Sequence, residues 1–276
     1  MSYFGYLLNV GVNMVGKQHF KPGLTLKPEE TNQCAMIMTG VLLATAFVSV
    51  LLRLPEKKLA WMVSLVNSFV MTVGGVLYLA VKLPPVLTAL GKGNFLIGEK
   101  VFHEPLSNFA ALLCMWFLMA NVFDLVFGLL FYRRQLGFLT AYVHHSVFIW
   151  TMVAATTGNG GFLTCRPFAS AFMYVIIEEL PTFLLALGSV VPACRTDLGF
   201  GLTFFLFRIA YHVGFFGLAL YNRQKVDTPV IVLYSLTLAM HVNWFYNWVI
   251  KYGMGGGKTK AKKEDEKDNT AGKKID

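Results

Sequence analysis

The chain has 276 residues, 55% of them hydrophobic and only 14% charged, with a mean hydropathy of +0.56. Soluble domains carry about 25% charged and 45–50% apolar residues, so this mixture excludes a disordered chain, a disulfide-stapled secreted domain and an ordinary water-soluble enzyme. The net charge of +9 is not a nucleic-acid footprint: the tail from Lys258 holds seven lysines against five acids, and the remaining +7 lies mostly between apolar runs.

A membrane-spanning helix needs about 20 mainly apolar residues. Seven stretches meet that length, at 35–54, 60–81, 108–132, 136–156, 167–192, 198–220 and 229–250. They predict an all-α polytopic membrane bundle of about seven helices, with a lumenal or interfacial segment at 1–34 and a disordered cytosolic tail at 253–276. Within the first segment, 3–15 reads as a short interfacial helix. No Lys or Arg precedes its apolar run, so no cleaved leader is expected. Breaks are expected at Pro55, Pro84-Pro85, Arg133-Arg134, Gly158 to Gly161, Arg195 to Asp197 and Arg223 to Asp227. Cys34, Cys114, Cys165 and Cys194 form no CxxC pair or metal spacing, and no metal or cofactor is expected. A Cys34–Cys165 disulfide is compatible with an oxidising lumen.

Glu29 and Glu30 precede the first span and Arg53, Lys57 and Lys58 follow it, which sets its C-terminal end in the cytosol. Seven spans then place the C-terminus there too. The last four residues include Lys273 and Lys274 at the fourth and third positions from the end. That arrangement matches the dilysine signal read by coat-type retrieval machinery, and it points to the endoplasmic reticulum membrane.

Ionisable residues within spans cost about 2.5–3.5 kcal/mol at mid-membrane and so need an interior partner or a function. They are Asp124, His144, His145, Glu178, Glu179, Arg208, His212 and His241, all in spans three to seven. Adjacent helical residues point about 100° apart. On that wheel His144 shares a stripe with Thr140 and Thr151, whereas His145 joins Ala141, Phe148 and Ile149. His144 is therefore the better candidate for a polar pocket. In span five Ser170, Tyr174, Glu178 and Thr182 form a stripe, and Pro181 should kink the helix and free the carbonyl near Ile177. A Glu–His pair across spans four and five and an Asp124–Arg208 bridge are the expected partnerships.

Tyr132-Arg133-Arg134, the run Ala141-Tyr142-Val143-His144-His145, the later Thr151, and Glu179-Leu180-Pro181-Thr182 together resemble the TLC family. This is the membrane domain of ceramide synthases and of the TLC-domain-containing proteins. The last span, from His241 to Tyr252, is rich in Trp, Tyr and Asn and looks like that family's final helix. The resemblance covers 35–252. Ceramide synthases carry a His-Asp-x-x-Asp cluster where this chain has Glu178-Glu179-Leu180-Pro181-Thr182, and no homeodomain-like insertion is present, so the likeness is nearer the TLC-domain-containing branch.

The resemblance implies a lipid function, in sphingolipid or phospholipid metabolism or homeostasis. Its catalytic form is ceramide-synthase-like N-acyl transfer, with fatty acyl-CoA as co-substrate and a long-chain lipid or amine as acceptor. His144 and His145 would carry the chemistry and Glu178 or Glu179 would orient the imidazole. Asp124, Tyr174, Thr182, Arg208 and His212 would line the substrate site. Arg133 and Arg134, about 16 Å from His144 along a helix, would hold the CoA phosphates. The alternative is a non-catalytic lipid-binding, sensing or transfer protein using the same cavity. The expected partner in either case is the bilayer, with no nucleic acid.

Overall fold

The computed structural model describes residues 9, 11–21, 25–157 and 166–253. Lys273, Lys274 and Cys165 lie outside the described residues, as does the Thr140 side chain; Cys34 carries a free thiol.

Helix α1 (Pro28–Leu51) starts at a proline, which needs no N–H donor there, and the Lys27 amide donates to the Glu30 carboxylate at 2.9 Å. Helix α2 (Glu56–Gly91) follows. It runs straight through Pro84 and Pro85 instead of stopping before them. At 36 residues it is about 54 Å long, against a hydrocarbon core of about 30 Å. Pro84 and Pro85 lie exposed near its C-terminal end. The short helix α3 (Ile97–His103) caps this end and buries Val101 and Phe102. Helix α4 (Asn108–Phe131) begins at Ser107, whose hydroxyl accepts from the Ala110 amide at 3.2 Å.

A π turn (Phe138–Val143) leads into helix α5 (His144–Thr157). Helix α6 (Arg166–Val175) and helix α7 (Glu179–Val190) are joined by a 3₁₀ turn at Ile176–Glu178. Next come α8 (Asp197–Thr203), a π stretch (Phe204–Tyr211) and α9 (His212–Tyr221), which together make one span. Helix α10 (Thr228–Trp248) ends the bundle in a further π turn, Val249–Gly253.

Among the described residues there is no strand, and six helices are long and apolar enough to cross a membrane. The chain is an all-α polytopic membrane bundle. The expected span at 136–156 is helical too, in two pieces, and is not one of those six. Residues 11–15 of the expected interfacial helix are helical, and Val12 is buried in the core.

Helix α2 is the axis of the bundle, lying along α7 and α4 while α5 lies along α4. A Cβ on Gly74 would sit 2.6 Å from Leu113 Cδ2, and one on Gly75 would sit 2.7 Å from Ile176 Cγ2. Two adjacent glycines thus let α4 and the 3₁₀ turn approach the α2 backbone. Large apolar side chains such as Phe47, Leu51, Leu130 and Leu206 stay exposed, as a lipid-facing surface requires.

Candidate functional site

The helices alternate in direction, so one end of the bundle gathers the turns around residues 52–55, 132–137 and 191–196. A cavity of about 540 Å³ opens at that end. Exposed Lys57 and Gln135 form its rim, and it descends past Trp61, Ser64 and Asn67 of α2 to Asp124, His144, His145, Glu179 and Arg208. Below it lies a chamber of about 50 Å³ bounded by Glu178, His212, Tyr234, Thr237 and His241. His144, Glu179 and Arg208 line both spaces.

Arg208 is the hub between them. Its Nε donates to the Glu178 carbonyl at 2.7 Å, its Nη2 donates to Thr182 Oγ1 at 2.6 Å, and Nη2 lies 3.5 Å from Glu179 Oε1. The guanidinium also lies over the rings of Phe204 and Trp244, 5.4 and 5.9 Å from their centroids. Where a kink is expected the helix passes through a 3₁₀ turn, Ile176–Glu178, three residues ahead of Pro181, and the carbonyl put to use is that of Glu178. The expected Asp124–Arg208 bridge is not formed. Asp124 instead accepts a hydrogen bond from Tyr132 Oη, and its Oδ2 lies 3.6 Å from His145 Nδ1.

Both histidines of the α5 pair face the cavity. The wheel sets adjacent residues about 100° apart, so the cavity wraps around more than one face of α5 at its start. His144 packs beside Phe148 and Trp244, with ring centroids 4.7 and 6.0 Å away. Its Nδ1 and that of His145 are buried without a hydrogen-bond partner. The glutamates do not orient either ring. Glu178 Oε1 is 2.7 Å from His212 Nδ1, so the Glu–His pair joins spans five and six.

Tyr174 lines neither space: it packs on Tyr78 and Phe215 and accepts from Tyr211 Oη through its carbonyl. Ser170 of the same stripe donates to the Val101 carbonyl at 2.8 Å and so anchors α3. His212 reaches only the inner chamber. Arg133 and Arg134 are exposed in the turn whose neighbours Tyr132, Gln135 and Leu136 line the outer cavity. Sequence reasoning missed Ser64, Asn67, Asn121 and Trp244. The first two, with Lys57 and Trp61, recur every three or four residues along α2, which is a readable signal.

This geometry defines the class: a multi-span helical membrane protein with a buried polar cavity open at one end. No family model, curated protein or solved structure matches the chain.

Proposed function

We propose that this chain is a TLC-type protein of the endoplasmic reticulum membrane that acylates a long-chain amine from fatty acyl-CoA. One observation carries the reading: a 540 Å³ cavity runs from a rim beside Arg133 and Arg134 to two imidazoles whose Nδ1 atoms have no hydrogen-bond partner. Unpartnered buried ring nitrogens are costly, and sites of chemistry are where such a cost is kept.

In this reading the CoA phosphates rest on the arginine turn and the pantetheine arm enters past Lys57 and Gln135. The acceptor amine attacks the thioester carbonyl, the C–N bond forms, and the C–S bond breaks. The amine proton passes to an imidazole and then to the departing CoA thiolate. Of the two rings, His145 has the better support as general base, because Asp124 lies beside it and Tyr132 steadies Asp124. His144 then flanks the reacting carbonyl. Retrieval by Lys273 and Lys274 accounts for residence, with the cavity mouth on the cytosolic side where acyl-CoA is found.

The test is an assay of detergent-purified protein with a long-chain acyl-CoA and a panel of sphingoid and other amines. N-acyl product is expected by mass spectrometry, and it should disappear in His145→Ala. No product, with lipid co-purifying equally in wild type and variant, would make the chain a lipid-binding protein instead. Replacing Lys273 and Lys274 by serine should release the protein to the cell surface; unchanged retention would sink the retrieval reading.

A further inference from the structure

Beneath the outer cavity, Glu178, His212 and His241 bring one ligand atom each to within 4.8 Å of one another, all three residues being buried. We propose that this cluster is a binding site for a divalent cation of the zinc class, and the proposal stands apart from the acyl-transfer reading.

The hydrogen bonds assign the ring protons. His212 Nε2 lies 3.0 Å from the Tyr234 carbonyl, and His241 Nδ1 lies 3.1 Å from the Arg208 carbonyl. A carbonyl only accepts, so both of these nitrogens are N–H donors. In each neutral ring the other nitrogen then carries a lone pair. For His212 that is Nδ1, which faces Glu178 Oε1 at 2.7 Å. Two lone pairs at that distance need a cation between them, either a proton or a metal. A backbone carbonyl holding the far nitrogen of His212 is the outer-shell arrangement that metal-ligating histidines ordinarily have; His241 turns its Nδ1–H to the Arg208 carbonyl, with Glu178 Oε2 3.7 Å from that nitrogen, and its Nε2 is the atom left to ligate.

The charges and the space agree. Arg208 is matched by Glu179 at 3.5 Å, which leaves the Glu178 carboxylate to balance an added ion. Two imidazole nitrogens and one carboxylate are the protein ligands of an open zinc site. Ligand atoms around tetrahedral zinc sit roughly 3.3 Å apart, so His212 and Glu178 need only a small separation to admit it. The adjoining chamber of about 50 Å³ has room for a further ligand. His144 lines both this chamber and the outer cavity, so an ion bound here would lie close to the substrate space. The three ligands come from the 3₁₀ turn, α9 and α10, which is why no spacing in the sequence announces them.

The experiment uses full-length protein carrying a tag without histidine, stripped with chelator, reloaded with zinc sulfate and freed of excess before elemental analysis. Wild type should hold about one zinc per chain. Glu178→Gln, His212→Ala and the milder His241→Gln should each lose it, and His145→Ala should keep it. X-ray absorption on the loaded wild type should show nitrogen and oxygen ligands with imidazole scattering and no sulfur. Wild type that retains no zinc after reloading would overturn the proposal and leave a shared proton between Glu178 and His212. Full zinc in folded, monodisperse His212→Ala or His241→Gln would overturn it as well, by placing the metal elsewhere.

Discussion

The outer cavity and the inner chamber share three lining residues, yet they treat their ionisable groups in opposite ways. In the inner chamber Glu178, His212, His241 and Arg208 are tied to one another and to the backbone carbonyls of Tyr234, Arg208 and Glu178. In the outer cavity His144 and His145 sit close together with bare Nδ1 atoms, and the nearest acid to His145 is at 3.6 Å. A buried network with its partners in place rigidifies the helices it joins, here the 3₁₀ turn, the π stretch, α9 and α10. Groups left without partners contribute little to holding the bundle and are free to meet a ligand. The inner chamber thus ties the helices together around its proposed cation site, and the outer one keeps its groups for reaction with a substrate.

The largest expected effect tests the inner half of that contrast. Glu178→Leu strands His212 and should cost about 3–5 kcal/mol of stability, seen as a collapsed melting temperature and poor recovery in detergent. A variant as stable as wild type would mean the cluster does not hold the bundle. Next, His145→Ala should lower N-acyl product formation by about 10²-fold or more, roughly 2.7 kcal/mol. Its melting temperature should fall less than that of Glu178→Leu, because His145 meets its acid only at 3.6 Å whereas His212 meets Glu178 at 2.7 Å. A stability loss as large as that of Glu178→Leu would erase the distinction between the regions.

A smaller effect is expected at the wall where α8 packs on α10. A Cβ on Gly201 would lie 2.1 Å from the Trp248 ring, so Gly201→Ala should cost about 1–3 kcal/mol by thermal melting. No change would show that this wall yields easily. The smallest effect is at the rim. Arg133→Ala with Arg134→Ala should change stability by no more than about 0.5 kcal/mol, since both are exposed, while raising the KM for acyl-CoA. An unchanged KM would remove the arginine turn from the acyl-CoA site.

Most of the span boundaries were legible because apolar length is imposed by the bilayer and needs no knowledge of neighbours. The exceptions are α1, which begins at Pro28 in a polar stretch that an apolar count leaves out, and α2, which continues through Pro84 and Pro85. A proline in the last turns removes one hydrogen bond and does not by itself end a helix whose other bonds remain. The list of buried ionisable residues was legible for the same reason as the spans, since each stands out against lipid. Their partners were not. Asp124 pairs with Tyr132 and His145 rather than Arg208, and Glu178 pairs with His212 rather than with the α5 histidines.

The chain by itself therefore determined the all-helical membrane bundle and the ionisable residues that its interior must hold, but not the share of α2 in the cavity wall. These follow from transfer free energies that act residue by residue. Only the tertiary structure decided which acid meets which base, that both histidines face one cavity, and that a second, fully bonded cluster lies beneath it. Those outcomes depend on helix rotation. Two π segments and one 3₁₀ turn beside the site reset that rotation by amounts that no fixed period of 3.6 residues can anticipate.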